Sequence, residues 1–345
     1  MHPKMIIDID EAVELTHIQD KIIPIIPTAQ APIECLLWSV FSLLLRARPN
    51  DLIEHFIVCI NGPDKRTGDP AIADLKQAFL EDLRKLKWYH ADVPSINKDM
   101  PLTVIRAWSR IGHPEAVEMA IPWVHTNSYL LMHDDIIITK RNWLADVKDK
   151  FIDNPKCVIA YAPKLMCCQC DAATYQGKNL LRFPHLLCCF LVCRKSLIRK
   201  LGGMWCGYHI HTPTFKLKDK VGDVKAFMEY YKKQKLLDVP PQTEEDYEYI
   251  SMEMGSWHFY NAVQAGYDFS ALDPNTLVHM GTMSWECETG KERRIANHLK
   301  YIHDLEAEIM KHPDYSKLYM KYIKHSSYFN WSITNDRLVQ SIHVA

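Results

Sequence analysis

The residues His133-Asp134-Asp135 follow the apolar run Tyr129-Leu130-Leu131-Met132 without a gap. Two carboxylates at the end of a buried strand are hard oxygen ligands of the kind that suit Mg2+ or Mn2+. The plainer use of such a pair is to close a turn or cap a helix. Two more polar groups stand directly after apolar runs, Pro27-Thr28 and the turn Asn61-Gly62-Pro63-Asp64. A third kind of chemistry is suggested by Cys167-Cys168-Gln169-Cys170, with Cys188, Cys189, Cys193, Cys206, His209 and His211 further on. Four of these could build a zinc site, but the second pair lacks C-x2-C spacing. Cys188, Cys189 and Cys193 also lie in an apolar stretch, as core residues would.

The elements that must position these groups are legible as a rhythm. Lys21–Thr28 is a β-branched run closed by proline and reads as a buried strand. A helical pattern follows over Ile33–Arg46, then the buried strand His55–Ile60, then a second amphipathic helix over Ala71–Leu86. Trp88–His90 reads as a short strand, Leu102–Arg110 and Pro114–Ile121 as helices, and Tyr129–Met132 as a strand ending at the aspartates. This alternation predicts a doubly wound, mostly parallel α/β sheet. Ligands bind such sheets at the carboxyl ends of the strands, so the groups at 27–28, 61–64 and 133–135 are expected to converge on one crevice. Further on, Cys157–Ala162 and Leu187–Cys193 read as strands and Lys195–Leu201 as a helix. Asp246–Ala265 reads as a helix closed by Gly266. Asp268–His279 reads as extended, and Glu292–His312 and Tyr315–His325 as helices.

Bulk properties narrow the class. With 345 residues, 48% hydrophobic and 24% charged, the chain has the composition of a globular protein. Its longest apolar runs, residues 22–26 and 186–192, are too short to span a bilayer. No signal-peptide core can be placed near Met1, and the 11 cysteines, an odd number, suit a reducing compartment, so a cytoplasmic location is expected. The net charge of −1 conceals an asymmetry: residues 141–240 carry 18 Lys/Arg against 8 Asp/Glu. A face favouring a polyanion and a solvated lysine-rich surface both account for that.

Taken in order, these landmarks resemble the family 2 glycosyltransferases, which have the GT-A fold. The resemblance covers roughly residues 21–281. It includes the strand ending Pro27-Thr28, the strand ending in a polar turn at Asn61, and Arg110-Ile111-Gly112-His113 with Ala116 and Ala120 ahead of the aspartates. It continues through Arg194-Lys195-Ser196, Gly202-Gly203, Glu253, Ala265-Gly266-Tyr267 and Val278-His279. The resemblance implies a nucleotide-sugar donor, UDP-linked, whose leaving diphosphate is neutralised by Mn2+ or Mg2+. By the same resemblance Asp135 and His279 hold the metal, and Asp134 holds the ribose or a metal-bound water. Pro27, Thr28, Asn61 and Asp64 then line the donor site, the last two where the family contacts base and ribose. An inverting transfer needs a general base, and Glu253, 13 residues before Gly266, stands in its place; Met254 follows where the family has a second carboxylate. The cluster Glu244-Glu245-Asp246 is the competing candidate. His133 replaces a further aspartate of some members.

Three domain-level expectations follow: an N-terminal segment 1–20, a catalytic domain 21–281, and a C-terminal helical extension 282–345 packed on it. Within the catalytic domain, residues 204–245 read as a lid or acceptor insertion. Its aromatics (Trp205, Tyr208, Phe215) and following lysines would suit an anionic acceptor, whether phosphorylated glycan, phosphopolymer or hydroxymethylated DNA base. A nucleotidyltransferase would need a glycine-rich loop where Pro27-Thr28-Ala29-Gln30 stands. A dinucleotide oxidoreductase would need a G-x-G-x-x-G that the sequence lacks. A non-catalytic module that binds nucleotide or glycan remains as the rival.

Overall fold

The computed structural model describes residues 21–29, 31–48, 52–53, 55–62, 70–89, 97–107, 111, 113–162, 166–167, 173–175, 178–182, 185–186, 189–201, 214–216, 249–251, 261–262, 264–281 and 288–334. Strand β1 is Ile22–Thr28, followed by helix α1, Ile33–Arg46. Strand β2 is Phe56–Ile60, α2 is Pro70–Arg84, and β3 is Leu102–Arg106. Helix α3 (His113–Ala120) leads into β4 (Ser128–Met132) and the short β5 (Ile136–Ile138). After α4 (Trp143–Val147) come β6 (Cys157–Tyr161), β7 (Phe190–Arg194) and α5 (Lys195–Lys200). Strands β8 (Asp268–Ala271) and β9 (Leu277–His279) precede three helices, α6 (Glu288–Ile309), α7 (Pro313–Ile323) and α8 (Ser327–Thr334).

Seven strands form one sheet in the order β8-β6-β7-β4-β1-β2-β3. Every pairing is parallel except those of β7, which runs antiparallel to both β4 and β6. This is the doubly wound, mostly parallel arrangement expected of a GT-A chain. The strand order turns back between β1 and β4, and that reversal opens a crevice at their carboxyl ends. Strand β1 sits at the centre, all seven residues buried. Pro24 and Pro27 each remove a ladder donor there, a loss of about 1 kcal/mol apiece. Full burial of Ile22, Ile23, Ile25 and Ile26 outweighs it at about 1.5–3 kcal/mol each.

Two expected elements differ. Leu102–Arg110 was expected as a helix, but Leu102–Arg106 is the edge strand β3, in register with β2 from Phe56↔Leu102 to Ile60↔Arg106. Three adjacent residues, Thr103-Val104-Ile105, include three β-branched side chains whose χ1 is stiff in a helix and fits a pleated surface. The helix expected over Asp246–Ala265 is interrupted at its start by the strand Tyr249–Ser251. That strand joins Ala173–Tyr175, Lys178–Arg182 and Thr214–Lys216 in a second, four-stranded sheet. The end of the expected helix behaves as read. Gly266 takes φ 72° and Tyr267 N donates back to the Ala262 carbonyl at 3.0 Å. Among the described residues no helix is long and apolar enough to cross a membrane.

Helix α1 is buried along its whole length because sheet and C-terminal helices cover opposite sides of it. Trp38 Nε1 donates to Tyr319 Oη at 3.1 Å, and the Trp38 ring meets Tyr328 edge-on at 5.2 Å. Arg46 donates to Glu308 through Nε (3.2 Å) and Nη2 (3.1 Å), and its Nη1 donates to the Ile138 carbonyl at 2.6 Å. A planar guanidinium with two faces of donors serves both partners at once.

Candidate active site

The crevice floor is built by α1 as much as by the sheet. Ser39 Oγ bonds the Ile136 main chain both ways, donating to its carbonyl at 2.6 Å and accepting from its N–H at 3.2 Å. Ser42 Oγ accepts from Ile138 N at 3.1 Å. Strand β5, held in this way, pairs antiparallel with β9 from Ile136↔His279 to Ile138↔Leu277. Met280 N donates to the Asp135 carbonyl at 2.9 Å. Two buried serines thus fix the register that brings His279 to Asp135, 144 residues away in sequence.

The two aspartates, each only 7% exposed, separate. Asp134 turns to β1, where Thr28 Oγ1 donates to its Oδ2 at 2.5 Å. Lys76 of α2 stands behind them, donating to Thr28 Oγ1 at 2.5 Å and to the Ala29 carbonyl at 2.9 Å, with Nζ 3.6 Å from Asp134 Oδ2. Burial dominates both charged groups, raising the Asp134 carboxyl and lowering the Lys76 amine, while their mutual attraction pulls each back. Asp135 turns the other way. Its Oδ1 is 3.1 Å from His279 Nε2 and 3.9 Å from His133 Nδ1. Burial pushes the Asp135 carboxyl up, but the contact with His279 outweighs it and the net shift is downward. Burial would lower His279; its contacts with Asp135 and with Cys189 instead raise it to about 10. His133 packs edge-on against His113 at 4.5 Å, and burial with that neighbour holds His113 well below the usual histidine range.

Thr28, Asp134, Asp135 and His279 therefore come together as expected of strand ends, with Pro27 buried one residue earlier. Asn61 is at the end of β2, but its amide is occupied. Nδ2 donates to the Ile111 carbonyl at 2.6 Å and Oδ1 accepts from Ile111 N at 2.8 Å. A contact from this amide to a nucleobase would cost that pair. Asp64, Glu253, the cluster 244–246 and nearly all of 204–245 lie outside the described residues. Of the cysteine set, Cys189 and Cys193 have described side chains, both buried.

Lys76 was missed in the sequence, although a signal exists. It lies on the stripe Ala73, Lys76, Phe79, Leu80, Leu83, every other member of which is apolar and buried. A lysine on the buried face of an amphipathic helix needs a carboxylate or carbonyl to answer it.

No family model matches the sequence, and no curated protein does. Among solved structures, the chain is similar to the mannosyltransferase PcManGT from Pyrobaculum calidifontis, in complex with GDP-Man and Mn2+. There the identity is 13%, the match covers 94% of this chain and 76% of that one, and the TM-score is 0.43. S. aureus TarS is 13% identical, with 71% of this chain and 38% of that one covered and a TM-score of 0.34. S. aureus TarS 1–349 in complex with UDP is 11% identical, with 67% and 60% covered and a TM-score of 0.34.

Proposed function

We propose that this chain is a GT-A glycosyltransferase that moves a sugar from a UDP-linked donor to an acceptor hydroxyl, with inversion and with a divalent cation. One observation carries the reading: at the reversal of strand order, Asp134 and Asp135 sit side by side and serve opposite walls of the crevice. The fit to a cation rests on two donors that converge. Asp135 Oδ1 is buried and faces His279 Nε2 at 3.1 Å. With His279 beside it, the pair supplies oxygen and nitrogen donors that Mn2+ accepts well and Mg2+ less well. The ion would neutralise the charge that develops on the leaving diphosphate.

The remaining roles belong to the chain. Thr28 and Lys76 hold Asp134 in one rotamer, so that it meets a ribose hydroxyl or an ordered water without reorganising. Asp64 would contact the ribose. Glu253 is the proposed general base, with Glu244, Glu245 and Asp246 as alternatives. The lysine-rich stretch 204–245 favours an anionic acceptor, a nucleic acid included.

Thermal unfolding with a panel of nucleotides and nucleotide sugars, with and without Mn2+, tests the reading. A ligand at about 100 times its Kd adds about 2.7 kcal/mol to the folded state. Stabilisation by a UDP-sugar that chelator abolishes, and that Asp135→Ala abolishes with unchanged far-ultraviolet dichroism, is the expected result. Absence of a shift with every nucleotide would leave a sheet without a donor site and sink the proposal.

A further inference from the structure

The ring around Asp135 is richer than a hard-cation site requires. His133, Cys189 and His279 each present one ligand atom, all within 4.8 Å of one another. All are carried on main chain that the sheet already fixes. His133 N donates to the Cys189 carbonyl at 2.9 Å, extending the β4–β7 ladder by one step beyond Met132↔Phe190. His279 closes β9 opposite Ile136. Asp135 Oδ1 stands beside the ring, 3.1 Å from His279 Nε2 and 3.9 Å from His133 Nδ1. His133 Nε2 is buried without a hydrogen-bond partner among the described residues.

We infer that Cys189 and His133 are metal ligands alongside His279 and Asp135, so that the site selects a thiophilic divalent ion such as Zn2+ or Co2+ and rejects Mg2+. The inference deepens the reading of this crevice as a metal-dependent donor site, but the donor set stands on geometry whether or not a sugar is transferred. One thiolate and two imidazoles make a three-donor set of the kind Zn2+ takes in sites that keep a fourth position open, here for Asp135 or for the donor's diphosphate. Mg2+ wants six oxygens at near-octahedral angles and gains nothing from sulfur. Ligands about 2.0–2.3 Å from a tetrahedral ion lie roughly 3.3–3.8 Å from one another. The three ligand atoms, all within 4.8 Å of one another, must draw in by about an ångström to reach that range. Binding displaces to solvent the Cys189 thiol proton and the proton on each ligating imidazole nitrogen, since thiolate and neutral imidazole are the ligands. Cys189 had read as a core cysteine because its stretch is apolar. Register, which sequence does not display, turns it toward the histidines.

Cobalt reports the donor set directly. The full chain, stripped with chelator and titrated with Co2+, is expected to bind one equivalent. Binding should bring intense visible bands of a tetrahedral ion and a near-ultraviolet thiolate-to-cobalt charge-transfer band. Cys189→Ser should lose the charge-transfer band and weaken Co2+ at least about tenfold, while Cys193→Ser, at a buried cysteine of β7, should keep both. Millimolar Mg2+ should not displace the bound Co2+. If Cys189→Ser fails to fold, X-ray absorption of the Zn2+-loaded parent should show one sulfur at about 2.3 Å. Co2+ bound without the charge-transfer band, no Co2+ bound, or only nitrogen and oxygen neighbours at zinc would each overturn the inference. A thiolate band with no nucleotide-dependent stabilisation would instead defeat the glycosyltransferase reading and leave this one standing.

Discussion

Asp134 and Asp135 are consecutive, yet one belongs energetically to β1 and α2 and the other to β9. Both lie in the turn between β4, which ends at Met132, and β5, which begins at Ile136, and their side chains diverge across that turn. Lys76 pulls the Asp134 carboxyl back down against burial; with no exposed surface of its own, it has, among the described residues, Thr28, the Ala29 carbonyl and Asp134 to answer it. Replacing it by methionine keeps the volume and removes the charge, which leaves an uncompensated carboxylate. Lys76→Met should therefore lower stability by about 3–5 kcal/mol in urea denaturation. Asp134→Asn added to Lys76→Met should recover part of that loss, because the two changes touch one interaction. Strictly additive losses would show that the pair is not coupled. The aspartates were legible because two carboxylates after four apolar residues are conspicuous. His279 was legible only through resemblance. Cys189 and Lys76 were not, since each sits in a pattern whose ordinary meaning is packing.

Helices α6, α7 and α8 meet α1 through a polar knot. Tyr319 Oη donates to Glu306 Oε1 at 2.6 Å and Tyr328 Oη donates to Glu306 Oε2 at 3.1 Å. Glu34, buried in α1, accepts from Ser327 Oγ at 2.7 Å. Burial raises the Glu306 carboxyl to about 7, against the pull of the two phenols. The sign follows from proton counting. Between about pH 4.5 and pH 7 the folded chain keeps a proton that the unfolded chain has released, so stability falls as pH rises through that window and is flat above it. With some solvent contact left to Glu306, the size is about 1–3 kcal/mol. Glu306→Gln should remove this slope, gaining on the parent by that amount at pH 8 relative to pH 5 in parallel denaturation curves. Equal differences at the two pH values would place the titration elsewhere. The helical period of these elements was readable, and so was most of the sheet. What misled was β3: an eight-residue window starting at Leu102 holds apolar residues at helical spacing as well as a β-branched run, and only the free edge of β2 decides between them.

At the scale of the molecule, sheet, crevice and C-terminal helices share one core, and that has a consequence for dissection. The reversal between β1 and β4 was implied by the alternation of elements, while the antiparallel β7 was not, because strand direction leaves no trace in composition. Nor did the sequence reveal that α1 is covered on its far side. Ile295, Ile302, Leu305 and Ile309 of α6 are at most 1% exposed, and Tyr315, Tyr319, Tyr322 and Ile323 of α7 at most 3%. They close over Trp38 and Phe41, with Phe41 within 5.8 Å of both Tyr315 and Tyr319. Each side chain contributes about 1.5–3 kcal/mol by burial, so eight together, about 12–24 kcal/mol, match or exceed the whole stability of an ordinary domain, about 5–15 kcal/mol. Removing 288–345 also takes Glu308 from Arg46, whose Nη1 holds the Ile138 carbonyl and with it the strand that presents His279. A chain ending at residue 287 should therefore fail to fold cooperatively and should aggregate. Loss of the thermal transition and of the near-ultraviolet dichroism, with sedimentation beyond monomer mass, would be the expected record. If residues 1–287 instead melt sharply and still gain stability from nucleotide and metal, the helices are an appendage and the crevice is self-sufficient.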